Sequence, residues 1–120
     1  MANPNLSVAS SLYGDTAAYR IGTASTVGIV TNTAASGEVY KINSIIVANS
    51  DGSAAADIDV SYYDGSKDIY LAKLITVPPK ASQIILTKET YFYLKEGHQI
   101  RVKASAADDL DVVVGFEVIS

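Results

Sequence analysis

His98 is the only histidine in the chain, so acid–base chemistry near neutral pH would have to centre on it. It follows Gly97 at the start of an alternating stretch, in phase with Ile100, and reads as a strand-edge residue rather than a base. A Ser-His-Asp arrangement needs a nucleophile within hydrogen-bond reach of the base. No G-x-S-x-G or S-x-x-K segment offers one. Without cysteine there is no thiol nucleophile, no disulfide and no cysteine-based zinc set. Phosphate loops of the G-x-x-x-x-G-K-[ST] or G-x-G-x-x-G kind are absent, and so is H-E-x-x-H. The expectation is a protein that is not an enzyme, with no catalytic residue, no cofactor and no metal.

Carboxylates do cluster. Asp108, Asp109 and Asp111 lie at a turn, and Asp57 and Asp59 share one strand face. Calcium takes several oxygen ligands, but acidic turns also keep a surface solvated and stop strand edges from pairing. The second reading is preferred. Asn49 to Ser53 resembles a calcium loop without its ligand spacing. Eight tyrosines give large contact area at low entropic cost, although the absence of tryptophan weakens a sugar-stacking role. Tyr40 and Tyr62 read as half-buried strand residues. Tyr63, Tyr91 and Tyr93 read equally well as partner contacts.

A chain of 120 residues is one domain, able to bury roughly two thirds of its unfolded surface. A net charge of −4, with Lys and Arg scattered singly, argues against a nucleic-acid interface. Apolar runs such as Ile45 to Ala48 are too short to span a bilayer, so no membrane is expected as a partner. Met1 to Leu6 carries no positive side chain and no apolar run, so no signal peptide is expected. Asn5-Leu6-Ser7 matches a glycosylation sequon and is read as chance. Charged residues make up 18% and hydrophobic ones 48%, a low charge density for a small domain. Either Ser, Thr, Ala and Tyr cover the surface, or part of it is buried against other subunits.

Period-two alternation marks strands with one face in a core. It is clearest from Tyr91 to Ile119, read as an ascending strand, a polar turn and a final strand. Leu94, Ile100, Val102 and Ala104 alternate with Gln99, Arg101, Lys103 and Ser105. Leu110, Val112, Val114, Phe116 and Val118 alternate with Asp111, Val113, Gly115, Glu117 and Ile119. Further strands are expected at Tyr19–Ile21, Thr26–Thr31, Glu38–Asn49, Ile58–Tyr62, Ile69–Val77 and Ser82–Thr87, with Asp64-Gly65 as the strongest hairpin signal. Glu38–Asn49 carries apolar groups on both faces. Its second face lies either under a loop or the N-terminal arm, or against another subunit. The reading is all-β: one antiparallel β-sandwich or jelly-roll-like domain of about eight strands over 17–120, with an extended N-terminal arm over 1–16.

The run Tyr40-Lys41-Ile42-Asn43-Ser44-Ile45-Ile46-Val47-Ala48-Asn49 is followed by Asp51-Gly52 and Ile58-Asp59-Val60. Tyr70-Leu71-Ala72, Val77-Pro78 and Tyr93-Leu94-Lys95-Glu96-Gly97 leading into Ile100-Arg101-Val102 complete the pattern. Over roughly residues 38–119 this resembles the small virion structural proteins of tailed bacteriophages, notably of cyanophages and other marine phages. The resemblance is one of pattern, not of a diagnostic motif. It departs at His98, where an Asp is expected after Glu96-Gly97. It implies a virion protein on the capsid exterior, made in the host cytoplasm. That protein would be a capsid decoration (cement) protein, which bridges capsomers and often forms a homotrimer on the major capsid protein. A neck, tail or fibre-associated module is the first alternative, and a carbohydrate-binding or adhesin domain the second.

A decoration subunit needs an arm and spare apolar surface. The residues expected at such an interface are Leu6, Val8, Leu12, Tyr13, Ile45, Val47, Tyr91, Tyr93, Val113 and Ile119.

Overall fold

The alternating stretches fold as strands. A computed structural model describes residues 4–120, so Met1–Asn3 of the expected arm lie outside the described residues. Nine strands are formed among the described residues: β1 Leu12–Arg20, β2 Val27–Thr31, β3 Val39–Asn49, β4 Ala56–Tyr63, β5 Asp68–Val77, β6 Ser82–Leu86, β7 Phe92–Leu94, β8 Gln99–Ala104 and β9 Leu110–Ile119. The only helical pieces among the described residues are short 3-10 turns at Leu6–Val8 and Lys88–Thr90. No helix among them is long and apolar enough to cross a membrane.

Two antiparallel sheets pack face to face. Sheet A runs β1-β9-β3-β6, with β7 also beside β3, and sheet B runs β2-β8-β4-β5. The pairing is nested: β1 with β9, β2 with β8, β3 with β6 and β7, β4 with β5. This is a long hairpin rolled over itself, the jelly-roll arrangement. Inward residues of both sheets fill one core that includes Ile42, Ile45, Val47, Ile58, Val60, Ile100, Val102, Val112 and Val114. The chain exposes 6227 Å², against about 6,200 Å² for a folded monomer of this mass by size scaling.

Three expectations are corrected. First, the stretch from Tyr91 to Ile119 is not a strand pair. Leu94 ends β7 in sheet A, the chain crosses to sheet B as β8, and β9 returns to sheet A. The two alternating stretches therefore face each other across the core, because each has an apolar side to bury. Second, Leu12–Thr16 of the expected arm belong to β1, held in continuous register on β9 from Leu12↔Ile119 to Arg20↔Asp111. Ser11 and Ser120 exchange backbone hydrogen bonds of 3.0 Å just beyond it. Third, β3 switches phase. The register on β9 shifts between Ile42 and Ser44, a bulge at Asn43. After it Ile45 and Val47 point inward and Ile46 points out.

Two buried asparagines hold the ends of the sandwich. Asn32 Nδ2 donates to the carbonyls of Glu38 (2.9 Å) and Leu94 (3.0 Å), tying the β2–β3 loop to β7. Asn49 Nδ2 donates to the carbonyls of Ala54 and Val77, both at 2.9 Å, and its Oδ1 accepts from Asp51 N. At the β4–β5 hairpin, Asp64 Oδ1 accepts from Ser66 N and Lys67 N while Gly65 takes φ +94°. Only glycine adopts that backbone without strain.

Candidate functional site

The outer face of sheet A is a grid fixed by the strand registers. Reading across β1, β9 and β3, one end row is Arg20–Asp111–Ala48 and the next is Ala18–Val113–Ile46, extended onto β6 by Ile84. Then come Thr16–Gly115–Ser44, and Gly14–Glu117–Lys41. Leu12–Ile119–Val39 closes the far end. The apolar row is open to solvent, with Ile46 39%, Val113 41% and Ile84 59% exposed. The Thr16 row beside it is small and uncharged. A Cβ on Gly115 would lie 3.0 Å from Ser44 Oγ, so glycine keeps this floor low. The four-strand face measures roughly 34 by 19 Å from ideal strand rise and spacing.

Charge borders this band and is paired there. Arg20 Nε and Nη2 donate to the two Asp111 oxygens at 2.7 and 3.1 Å, a bidentate contact. The guanidinium holds the Asp111 carboxyl below its ordinary range. At the other border Lys41 Nζ lies 3.8 Å from Glu117 and 4.2 Å from the centre of the Tyr91 ring. Pairing at the rim leaves the centre neutral and inexpensive to dehydrate.

Beyond Lys41 the N-terminal segment completes the face. Asn5 Oδ1 accepts from Ser7 N and caps the 3-10 turn. Pro4 and Leu6 line a cleft of about 270 Å³ with Val39, Tyr93 and Lys95. Leu6, Val8, Leu12 and Tyr13 remain exposed.

Sheet B presents the opposite character. Arg101 stacks 3.4 Å from the Tyr63 ring centre and lies 3.8 Å from Asp68. Asp59, nearly buried, accepts from Leu74 N at 2.7 Å and Lys73 Nζ at 3.3 Å. Lys73 Nζ lies 4.2 Å from the centre of the Tyr70 ring and donates to Asp59, and these two neighbours, Tyr70 first, raise its pKa above the ordinary value. Asp57 accepts from Thr76 Oγ1 at 2.7 Å. A cleft of about 360 Å³ opens here between Asp57, Asp59, Lys73, Lys103 and Ser105. Its carboxylates are engaged with the protein itself.

The residues considered for chemistry are in structural contacts. His98 Nδ1 meets Tyr62 Oη, the rings stand edge to face, and Lys95 N donates to the same hydroxyl at 3.4 Å. Burial pushes the Tyr62 phenol up. The contact fastens the 95–98 turn to β4. At the acidic turn, Asp108 takes φ +65° with its N–H on Ile21 O, and Asp111 pairs Arg20. Among the described residues no three His, Cys, Asp or Glu side chains cluster as a metal site. Tyr91 and Tyr93 stand edge to face at 84°. They do not present two coplanar rings to a sugar.

The structure sorts the expected interface residues. Leu6, Val8, Leu12, Tyr13, Tyr91 and Val113 are exposed, and Tyr93 is partly so. Ile45 and Val47 are wholly buried in the core and are withdrawn as surface residues, because the Asn43 bulge turns them inward. Ile119 is on the outer face but buried, in register between Leu12 and Val39. Sequence reasoning missed Ala18, Ile46 and Ile84. Ile46 could have been found only by placing the bulge, since unbroken alternation puts it inside. A further exposed set on β5, Ile69, Tyr70, Leu71 and Leu74, was also missed. No protein-family model and no curated protein matches this chain.

Proposed function

We propose that this jelly-roll domain is a structural subunit that docks on a protein lattice through the outer face of sheet A. We place it on the exterior of a tailed-phage virion as a capsid decoration protein. The observation that carries docking is the neutral four-strand row Ala18–Val113–Ile46–Ile84, bordered by the Arg20–Asp111 and Lys41–Glu117 pairs. The virion setting rests on the sequence resemblance. The whole outer face, its charged rims included, spans roughly 650 Å² from ideal strand dimensions, against the about 800 Å² per partner of a standard interface. The exposed Leu6–Tyr13 segment at its border adds to it.

The mechanism is mechanical. Apolar area buried across a joint between shell subunits opposes its opening, at roughly 25 cal/mol per Å² before association costs. The test is the copy number of this chain in purified particles, by quantitative mass spectrometry against the major shell protein. Hundreds of copies in simple ratio to the shell support decoration. A handful moves the chain to the neck or tail, and absence from particles removes the virion setting.

A further inference from the structure

We propose that the open edge of β1 pairs with β1 of a second copy of this chain, antiparallel about a twofold axis at Thr16. This would carry sheet A through two subunits, and it does not depend on the virion setting. The edges of a sandwich are templates for strand pairing unless they are short, bulged or charged. β2 is short, and its register shifts between Gly28 and Val30. β5 has two register shifts, and Leu74 takes φ +51°. β6 is short, shifted opposite Ile45 and Ile46, and enters after Pro78-Pro79. β7 has no shift but only three residues. Among the described edge strands β1 alone is both long and unshifted, from Leu12 to Arg20.

The free backbone groups on β1 follow from its ladder. Ser11 and Ser120 exchange hydrogen bonds, and Ile21 N donates to Leu110 O. Odd-numbered residues of β1 therefore bond β9, and the N–H and C=O groups of Leu12, Gly14, Thr16, Ala18 and Arg20 point to the open edge. Among the described residues only the Thr16 N–H has a partner there, the Asp15 carboxylate at 2.8 Å. Pairing about Thr16 sets Leu12 opposite Arg20, Gly14 opposite Ala18 and Thr16 opposite itself, so the free groups meet as hydrogen-bonded pairs. The same register sets Tyr13 opposite Tyr19 twice and Asp15 opposite Ala17. Aromatic cross-strand pairs stabilise and opposed like charges destabilise, and this register has the first and not the second. Centring on Asp15 would oppose two carboxylates. Tyr13 and Tyr19 are exposed in the single chain and would be covered.

An edge contact of this length is smaller than the about 1,200 Å² total of stable complexes, so the dimer is weak and concentration-dependent. The threefold arrangement implied by the resemblance needs a different contact. Sedimentation and native mass spectrometry of the full chain from micromolar to millimolar concentration should show monomer and dimer. Thr16→Cys should be bridged across the dimer by a short bis-maleimide, while Ser82→Cys on β6 should not. Ala18→Pro removes an N–H that no strand of its own chain uses, and should weaken the dimer at least about tenfold by taking a hydrogen bond from each copy. Should Ala18→Pro fail to fold, the Thr16→Cys bridge decides. A monomer throughout, a trimer, a dimer that Thr16→Cys does not bridge, or a dimer untouched by a folded Ala18→Pro overturns the proposal.

Discussion

Ile45 and Ile46 are neighbours on β3 that differ in which side of sheet A they face, so Ile45→Asp and Ile46→Asp ask whether the sheet is placed correctly. Ile46 is 39% exposed and Ile45 is 0% exposed. Fully burying an isoleucine stabilises by about 1.5–3 kcal/mol. Ile46→Asp forfeits part of that, plus up to about 1 kcal/mol of strand preference, for a total near 2 kcal/mol. At about 4 °C per kcal/mol for a domain of this size, the melting temperature should fall by about 8 °C, leaving a folded protein. Ile45→Asp loses the whole transfer term and puts an unpaired carboxylate among Val114, Leu86 and the rest of the core. Several kcal/mol are then lost from a total stability of only about 5–15 kcal/mol. The protein should be unfolded or insoluble. Circular dichroism melts of both variants decide the fold, and co-sedimentation of Ile46→Asp with undecorated shells decides the function. The reasoning fails if Ile46→Asp unfolds as badly as Ile45→Asp, since the row would then be covered within one chain. It fails equally if Ile45→Asp melts like the parent. Normal docking by a folded Ile46→Asp would remove the outer face of sheet A as the docking site.

Asn49→Ala should cost about 2–3 kcal/mol, because three hydrogen bonds of about 1 kcal/mol each are lost at a buried side chain; chemical denaturation reads this, and a cost below about 0.5 kcal/mol would refute the role given to Asn49. Acid should destabilise the fold. Backbone N–H groups of Lys67 and Ser66 hold Asp64 below its ordinary value, Arg20 does so for Asp111, and Thr87 for Glu89. Their contribution is complete above the unfolded carboxylate values near about 4 and is lost as pH falls through the lower folded values. Melting temperature should therefore drop below about pH 4, more shallowly in Asp64→Asn; a flat profile for the parent would contradict the assignment. Deleting residues through Val8 should leave the melting transition nearly unchanged, whereas deletion through Thr16 removes half of β1 from β9 and should unfold the domain. Equal melting of the two truncations would return β1 to the status of an arm.

Local pattern was enough for the all-β class and for most strands, because a strand buried on one side must alternate. Ile58–Tyr62, Gln99–Ala104 and Leu110–Ile119 lie in their expected phases, and Asp64-Gly65 turns as expected. Three things depended on distant partners. Leu12–Tyr19, weak in β-branched residues, becomes a strand because β9 offers an edge. β8 and β9 separate into different sheets because two apolar faces are buried more fully across a core than side by side. The exposed apolar row proposed for docking is visible only in tertiary structure. In Val39–Asn49 both alternating sets are apolar, so the sequence is compatible with either phase. A single extra residue at Asn43, opposite β9, exchanges Ile45 for Ile46 at the surface. A bulge costs little in local pattern and reverses every side chain beyond it. For that reason the residue types were legible along the chain, and the face they make was decided by the pairing.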